Sequence, residues 1–127
     1  MNIPQNLRYT KDHEWIRIES DNTGIVGITD YAQGELGDIV FVEIETKGEK
    51  LKKGDVFGTI EAVKTVSDLF MPVSGEVLEV NENINDGPEA INKDPYNDGW
   101  LIKIKPENPS EIDELLDSSQ YSKLINS

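Results

Sequence analysis

The chain has 127 residues, 36% of them hydrophobic and 7% aromatic, enough for the core of one small β-rich body and too few for two. Its 12 basic and 25 acidic residues give a formal charge of −13, spread from Asp12 to Asp117; that field repels phosphate backbones, excludes nucleic acid as a partner and attracts basic protein faces. Cysteine is absent, so disulfides, thiolate nucleophiles and sulfur metal sites are excluded, and any redox chemistry must come from an attached group.

Met1-Asn2-Ile3-Pro4-Gln5-Asn6 has no cationic start followed by an apolar run, so no secretion signal is expected. The longest aliphatic and aromatic run, Ile39-Val40-Phe41-Val42, is far short of the ~20 residues a membrane helix needs, and a cytoplasmic, membrane-free protein is expected. Tyr9-Thr10-Lys11-Asp12 reads as an entry loop. The run from His13 to Glu19 reads as a first strand, with Ile16 and Ile18 on one face and Trp15 and Arg17 on the other. Asp21-Asn22-Thr23-Gly24 is a turn, and Ile25-Val26-Gly27-Ile28 is the hairpin partner. Asp30 is expected to cap a short helix with Gln33 as its capping-box mate, and Gly37 to stop it.

Asp38 to Ile44 is apolar on both sides until Glu43, as expected of a strand covered on both faces. Thr46 to Asp55 is a polar, glycine-punctuated link. Val56 to Glu61 and Val66 to Met71 have the β-branched and aromatic content of strands, which places Lys64 at the tip of a hairpin. Ala62, Val63 and Thr65 beside it are small and uncharged, and no other lysine is nearer than Lys53 or Lys93, so one amine is singled out. Pro72-Val73-Ser74-Gly75 reads as a turn with positive φ at Gly75, and Glu76 to Val80 as a returning strand.

Asn81 to Pro88 is turn-rich, Pro88 to Asn92 can form one helical turn, and Asp94 to Gly99 is a tight loop. Trp100 to Lys105 alternates as the last strand, with Trp100, Ile102 and Ile104 facing in. Two short helices should follow, one capped by Asn108 with Pro109 at its first position, the other capped by Asp117 with Gln120. Ile112, Leu115 and Leu116 give the first an apolar stripe; Tyr121, Leu124 and Ile125 give one to the second. Gly24 to Ile28 weakly resembles Gly75 to Val80, which suggests two related half-sheets.

The order strand, lysine turn, strand, Pro-x-x-Gly turn, strand resembles the biotinyl and lipoyl carrier domains. From the residues alone, Lys64 fits equally a charge that keeps a sheet edge soluble. A wider match decides between them. Tyr9 to Trp15, Gly27 to Ala32, Leu36 to Glu43, Gly58 to Asp68, Pro72 to Val77 and Gly99 to Ile104 are together similar to the H proteins of the glycine cleavage system. That family usually reads glutamate-serine-valine-lysine-alanine where this chain has Glu61-Ala62-Val63-Lys64-Thr65, so Ala62 and Thr65 are departures. Biotin carriers look like methionine-lysine-methionine here, and Val63 and Thr65 argue against biotin.

The resemblance implies a mainly β fold, a barrel-sandwich hybrid of two small antiparallel sheets with short helices, including C-terminal ones. It implies one domain over residues 1–127, with a core over about 9–105 and a helical segment over about 108–126. It also implies lipoic acid covalently attached to Lys64, with Glu61 and Val63 serving ligase recognition and the turn, and Glu14 and Asp68 cradling the arm. The implied role is a shuttle rather than an enzyme. The arm would accept an aminomethyl group from a pyridoxal-phosphate glycine decarboxylase, yield it to a tetrahydrofolate-dependent aminomethyltransferase and be reoxidised by dihydrolipoyl dehydrogenase. A lipoate-attaching enzyme is a further implied partner, and a monomer is expected. Competing readings are a lipoyl relay that donates its group to other complexes, an unmodified acidic interaction domain and a small hydrolase. His13 alone cannot build a metal site and is expected to serve as a structural hydrogen-bonding group.

Overall fold

The computed structural model describes residues 2–126; Met1 and Ser127, the ends of the expected domain, lie outside the described residues. Nine strands form two antiparallel sheets among the described residues. They are β1 (Arg8–Tyr9), β2 (Glu14–Ile18), β3 (Gly24–Ile28), β4 (Ile39–Glu43), β5 (Lys50–Leu51), β6 (Val56–Ala62), β7 (Val66–Phe70), β8 (Gly75–Val80) and β9 (Ile102–Pro106). The larger sheet runs β1-β2-β3-β9-β8-β5 and the smaller β4-β6-β7. The helices are short: α1 (Asp30–Leu36), α2 (Asn83–Asp86), α3 (Ala90–Lys93), α4 (Pro109–Asp113) and α5 (Ser118–Ile125).

The main core lies between the sheets. Val26, Ile28, Val77, Ile102 and Ile104 of the larger sheet meet Val42, Phe57, Ile60 and Leu69 of the smaller, as period-2 alternation demands when each strand has one buried face. The outer face of the larger sheet is covered as well, because Tyr9, Trp15 and Ile25 form a second cluster with Tyr96 and Tyr121. α5 is started by a complete capping box of Asp117 and Gln120, and it brings Tyr121 onto Tyr9 with ring centroids 4.6 Å apart. Leu124 of the expected stripe is exposed.

Several expectations are corrected. The entry loop contains the short strand β1, paired with β2 and bridged to Leu116. Thr29, not Asp30, caps α1: its hydroxyl accepts from the Ala32 N–H, and Gln33 bonds the Asp30 side chain instead. β4 is covered on one face only; Val40 and Phe41 are exposed, and a register shift between Ile39 and Phe41 turns both outward. The link after Thr46 contains β5, and the stretch after Asn81 contains α2. Leu101, not Trp100, is the fully buried residue ahead of β9.

Gly75 opens β8 without positive φ, and what requires glycine is the neighbouring strand. A Cβ there would sit 2.6 Å from the Lys105 carbonyl oxygen of β9. The two similar segments, β3 and β8, flank β9 in one sheet rather than building two half-sheets.

Candidate functional site

β6 and β7 pair from Val56↔Phe70 to Glu61↔Val66, and the reversal between them is Val63-Lys64-Thr65. The Ala62 N–H donates to the Thr65 carbonyl at 2.8 Å and closes the loop. The Val63 N–H donates to the Asp38 carbonyl at 3.0 Å, which ties the tip to the junction of α1 and β4. Lys64 is exposed, and among the described residues no hydrogen bond or ion pair holds its ammonium.

The lysine's aliphatic chain lies over Gly37. A Cβ at residue 37 would come within 3.5 Å of the Lys64 Cε, and φ of +80° at Gly37 disfavours any other residue there. Asn92 fixes this backbone. Its amide donates to the Gly37 carbonyl at 2.9 Å and to the Gln33 side chain at 3.0 Å, and its oxygen accepts from the Ile39 N–H at 2.9 Å. The helix stop and the lysine platform are therefore one feature.

Beside that platform opens a cleft of about 250 Å³ between α1 and the ends of β2 and β7. Leu36, adjacent to Gly37, lines it together with the apolar Ile28, Ala32, Ile60 and Leu69. Four acidic residues line it: Asp12, Glu14, Glu35 and Asp68. Glu14 and Asp68, expected near the arm, are thus brought to one cleft. Glu61 and Val63 are not in it; Glu61 stands exposed between Phe41 and Val66 in the cross-strand row, and Val63 projects from the tip.

The two cleft acids differ. Asp68 is exposed, while Glu14 is 2% exposed, with Oε2 accepting from the Phe70 N–H at 2.9 Å and Oε1 from the Thr10 hydroxyl at 3.1 Å. Burial pushes the Glu14 carboxyl up to about 8, against the lowering effect of the Phe70 hydrogen bond, so it holds a proton at neutral pH. Burial holds the His13 imidazole below its ordinary value despite Asp12 and Glu35.

His13 also carries the structural hydrogen bond anticipated for it. Its Nδ1 is 2.9 Å from the Tyr121 hydroxyl, which lies 2.7 Å from the hydroxyl of Thr29, the cap of α1. Sequence reasoning missed Tyr121, Tyr31, Glu35 and Leu36 at this site. Only the positive φ of His13, 67°, marks the spot as unusual, and no residue pattern announces it.

A stiff hairpin that presents an exposed lysine beside an acid-lined cleft, on a sandwich of two small sheets, is the arrangement of a carrier domain. Comparison with known proteins makes the class specific. The family model described as glycine cleavage H-protein matches residues 7–127, and the chain belongs to that family. It is 60% identical over 126 residues to the glycine cleavage system H protein of Bacteroides fragilis, covering 99% of each chain. With the H protein of Chlorobium limicola the identity is 58%, covering 98% of each. The crystal structure of the H protein from Mycobacterium marinum superimposes with a TM-score of 0.90 at 42% identity, covering 98% of this chain and 100% of that one. The protein is accordingly a lipoyl-carrying shuttle component of the glycine cleavage system and not itself a catalyst. Among the described residues no helix is long and apolar enough to cross a membrane.

Proposed function

We propose that Lys64 is the lipoyl attachment site and that the cleft lined by Glu14 and Asp68 receives the arm between visits to partner enzymes. The observation that carries this is the position of Lys64, exposed at a hydrogen-bonded tip and laid over Gly37, the residue next to Leu36 of the cleft wall. Attachment consumes the deprotonated amine: Nζ attacks the carbonyl carbon of an acyl-adenylate, the amide bond forms, the acyl–phosphate bond breaks, and AMP and a proton leave. The lysine loses its charge, so the arm can lie along the apolar wall made by Ile28, Ala32, Leu36 and Leu69. When bound, the lipoyl group supplies the two sulfurs that the polypeptide lacks, and with them the capacity to carry an aminomethyl group and reducing equivalents.

The residues of this chain bind and shield. Asp68 offers a charged oxygen to a cationic amine. A carboxylate ~4 Å from such a cation gains up to ~4 kcal/mol at an effective dielectric of ~20. Glu14 sits protonated in the resting cleft and would release its proton when a cation displaces it, so two acids share the charge without both being ionised beforehand. The partners that follow are the pyridoxal-phosphate glycine decarboxylase, the aminomethyltransferase, dihydrolipoyl dehydrogenase and a lipoate-attaching enzyme.

The test is to incubate the chain with lipoate, ATP and a lipoate ligase, map the added mass, and assay the product for glycine–bicarbonate exchange with the decarboxylase. One lipoyl group on Lys64 and restored exchange are expected. Lys64→Arg should gain no mass and support no exchange while melting within ~0.5 kcal/mol of wild type, as a surface substitution does. A lipoyl group found on another lysine, or exchange retained in Lys64→Arg, would overturn the assignment.

A further inference from the structure

Seven large hydrophobic side chains are exposed among the described residues, and five of them belong to the small sheet or its tip: Val40, Phe41, Val56, Val63 and Val66. The clustering is denser than that count suggests. Phe41, Glu61 and Val66 are direct cross-strand partners on β4, β6 and β7, so they stand side by side on one face with only Glu61 between the two apolar groups. Phe41 is 50% exposed, Val66 62% and Val63, next to Lys64, 76%. Every charge within the three strands is acidic, Glu43, Glu61 and Asp68, and the next cross-strand row, Glu43, Thr59 and Asp68, borders the apolar one with carboxylates.

Scattered exposed hydrophobes need no explanation, but a contiguous patch rimmed by polar groups marks an interaction surface. This patch adjoins the one amine that another protein must enclose. An enzyme that acylates Lys64 has to cover the tip, and one that approaches over the outer face of the sheet passes over Val63 and onto Val66, Glu61 and Phe41. We propose that the outer face of β4-β6-β7, centred on Phe41 and Val66, is the docking surface for the enzyme that acylates Lys64, and that the matching surface on that enzyme is an apolar depression flanked by basic side chains that meet Glu61 and Glu43. This rests on the assignment of Lys64 as the attachment site. The partner's basic rim follows from the uniform sign of the charges here, and the depression follows from the half-exposed Phe41 ring.

The test measures acylation of Lys64 by intact mass, with a lipoate ligase, lipoate and ATP, in wild type and surface variants. Phe41→Ala and Val66→Thr remove apolar surface at exposed positions. Ile18→Thr removes an exposed apolar group, 40% accessible, from the large sheet as a control. Acylation by limiting enzyme should slow about tenfold or more in Phe41→Ala combined with Val66→Thr, the scale of loss typical of a central interface residue, and stay at the wild-type rate in Ile18→Thr. Val63→Thr lies outside the strands and reads the same surface if the double variant melts early. Wild type acylated on Lys64 with the double variant and Val63→Thr equally fast would overturn the docking surface while leaving the attachment site standing. Wild type acylated elsewhere would overturn both. Normal acylation with impaired glycine–bicarbonate exchange would assign the patch to the decarboxylase, and a wild-type dimer that Phe41→Ala renders monomeric would assign it to a second copy of the chain; either result overturns the proposal.

Discussion

Glu14 of β2 and Phe70 of β7 join the two sheets through a side chain: the buried carboxyl of the first accepts the main-chain N–H of the second at 2.9 Å. β7 is an edge strand of the small sheet, so this N–H has no neighbouring strand to receive it, and the carboxyl takes the place of a ladder partner. The same carboxyl faces the cleft. A structural cross-tie and a wall of the cleft are thus one residue.

The first prediction follows from its ionisation. Between its ordinary value of 4.5 and about 8, the folded chain keeps a proton at Glu14 that the unfolded chain has released. The contribution of this residue to stability is therefore greatest below about 4.5 and declines as pH rises to about 8. His13 acts oppositely, since its lowered value makes the unfolded chain bind the proton first and costs stability as pH falls below the imidazole range. Glu14→Gln keeps the acceptor for Phe70 and removes the titration. The stability of the variant relative to wild type should rise between pH 5 and 8, by roughly 1.4 kcal/mol per pH unit at the steepest. Urea midpoints at pH 5 and pH 8 read this directly, and an unchanged difference would sink it.

A second concerns the cargo. Glu14→Gln should leave the lipoylation rate of Lys64 as it is, and either Glu14→Gln or Asp68→Asn should hasten spontaneous loss of the carried amine as ammonia and formaldehyde. Ammonia release from the loaded protein, held without partner enzymes, is the measurement. Equal release from wild type and both variants would remove these acids from the cleft's function.

A third separates packing from turn chemistry. In Gly75→Val the new Cβ collides with backbone at Lys105 and Pro106, which cannot swing aside as a flexible side chain would. Overpacking of this kind costs ~1–3 kcal/mol. Gly75→Ala carries the same Cβ and should lose nearly as much in urea, whereas a site needing only positive φ would tolerate Asn far better than Ala.

The fourth tests the brace behind the cleft. Tyr121→Phe deletes the hydroxyl that lies between His13 and Thr29 and leaves both without that partner, at a cost of ~1–3 kcal/mol. Calorimetric melting should show the loss, and the hydrogen exchange of the Ala32 amide at the α1 cap should quicken with it.

What could be read from the residues was local. The lysine hairpin announced itself through two β-rich runs around small neighbours, and the caps at Asn108 and Asp117 through offsets of one and three residues. Gly75 was misassigned because a Pro-x-x-Gly pattern looks like turn chemistry, while the real constraint comes from Lys105, which no local pattern pairs with it. β4 looked buried on both faces because a shift in register cannot be inferred from hydrophobicity. Thr29 lost the capping role to Asp30 on paper, since both residue types cap well and only φ and ψ decide. The contact of His13 with Tyr121 spans 108 positions and has no signature in either neighbourhood.

The bond from Val63 to Asp38 and the contact of Lys64 with Gly37 mean that the lysine is presented by two segments distant in the chain. A synthetic peptide covering 56–70 would contain the full hairpin sequence yet none of the α1–β4 shoulder. It would be a poor acceptor for any enzyme that reads shape, however faithful its letters. Grafting the modification onto another protein therefore requires transplanting the shoulder with the loop, and with it the Asn92 amide that holds Gly37, rather than only the fifteen or so residues that surround the lysine.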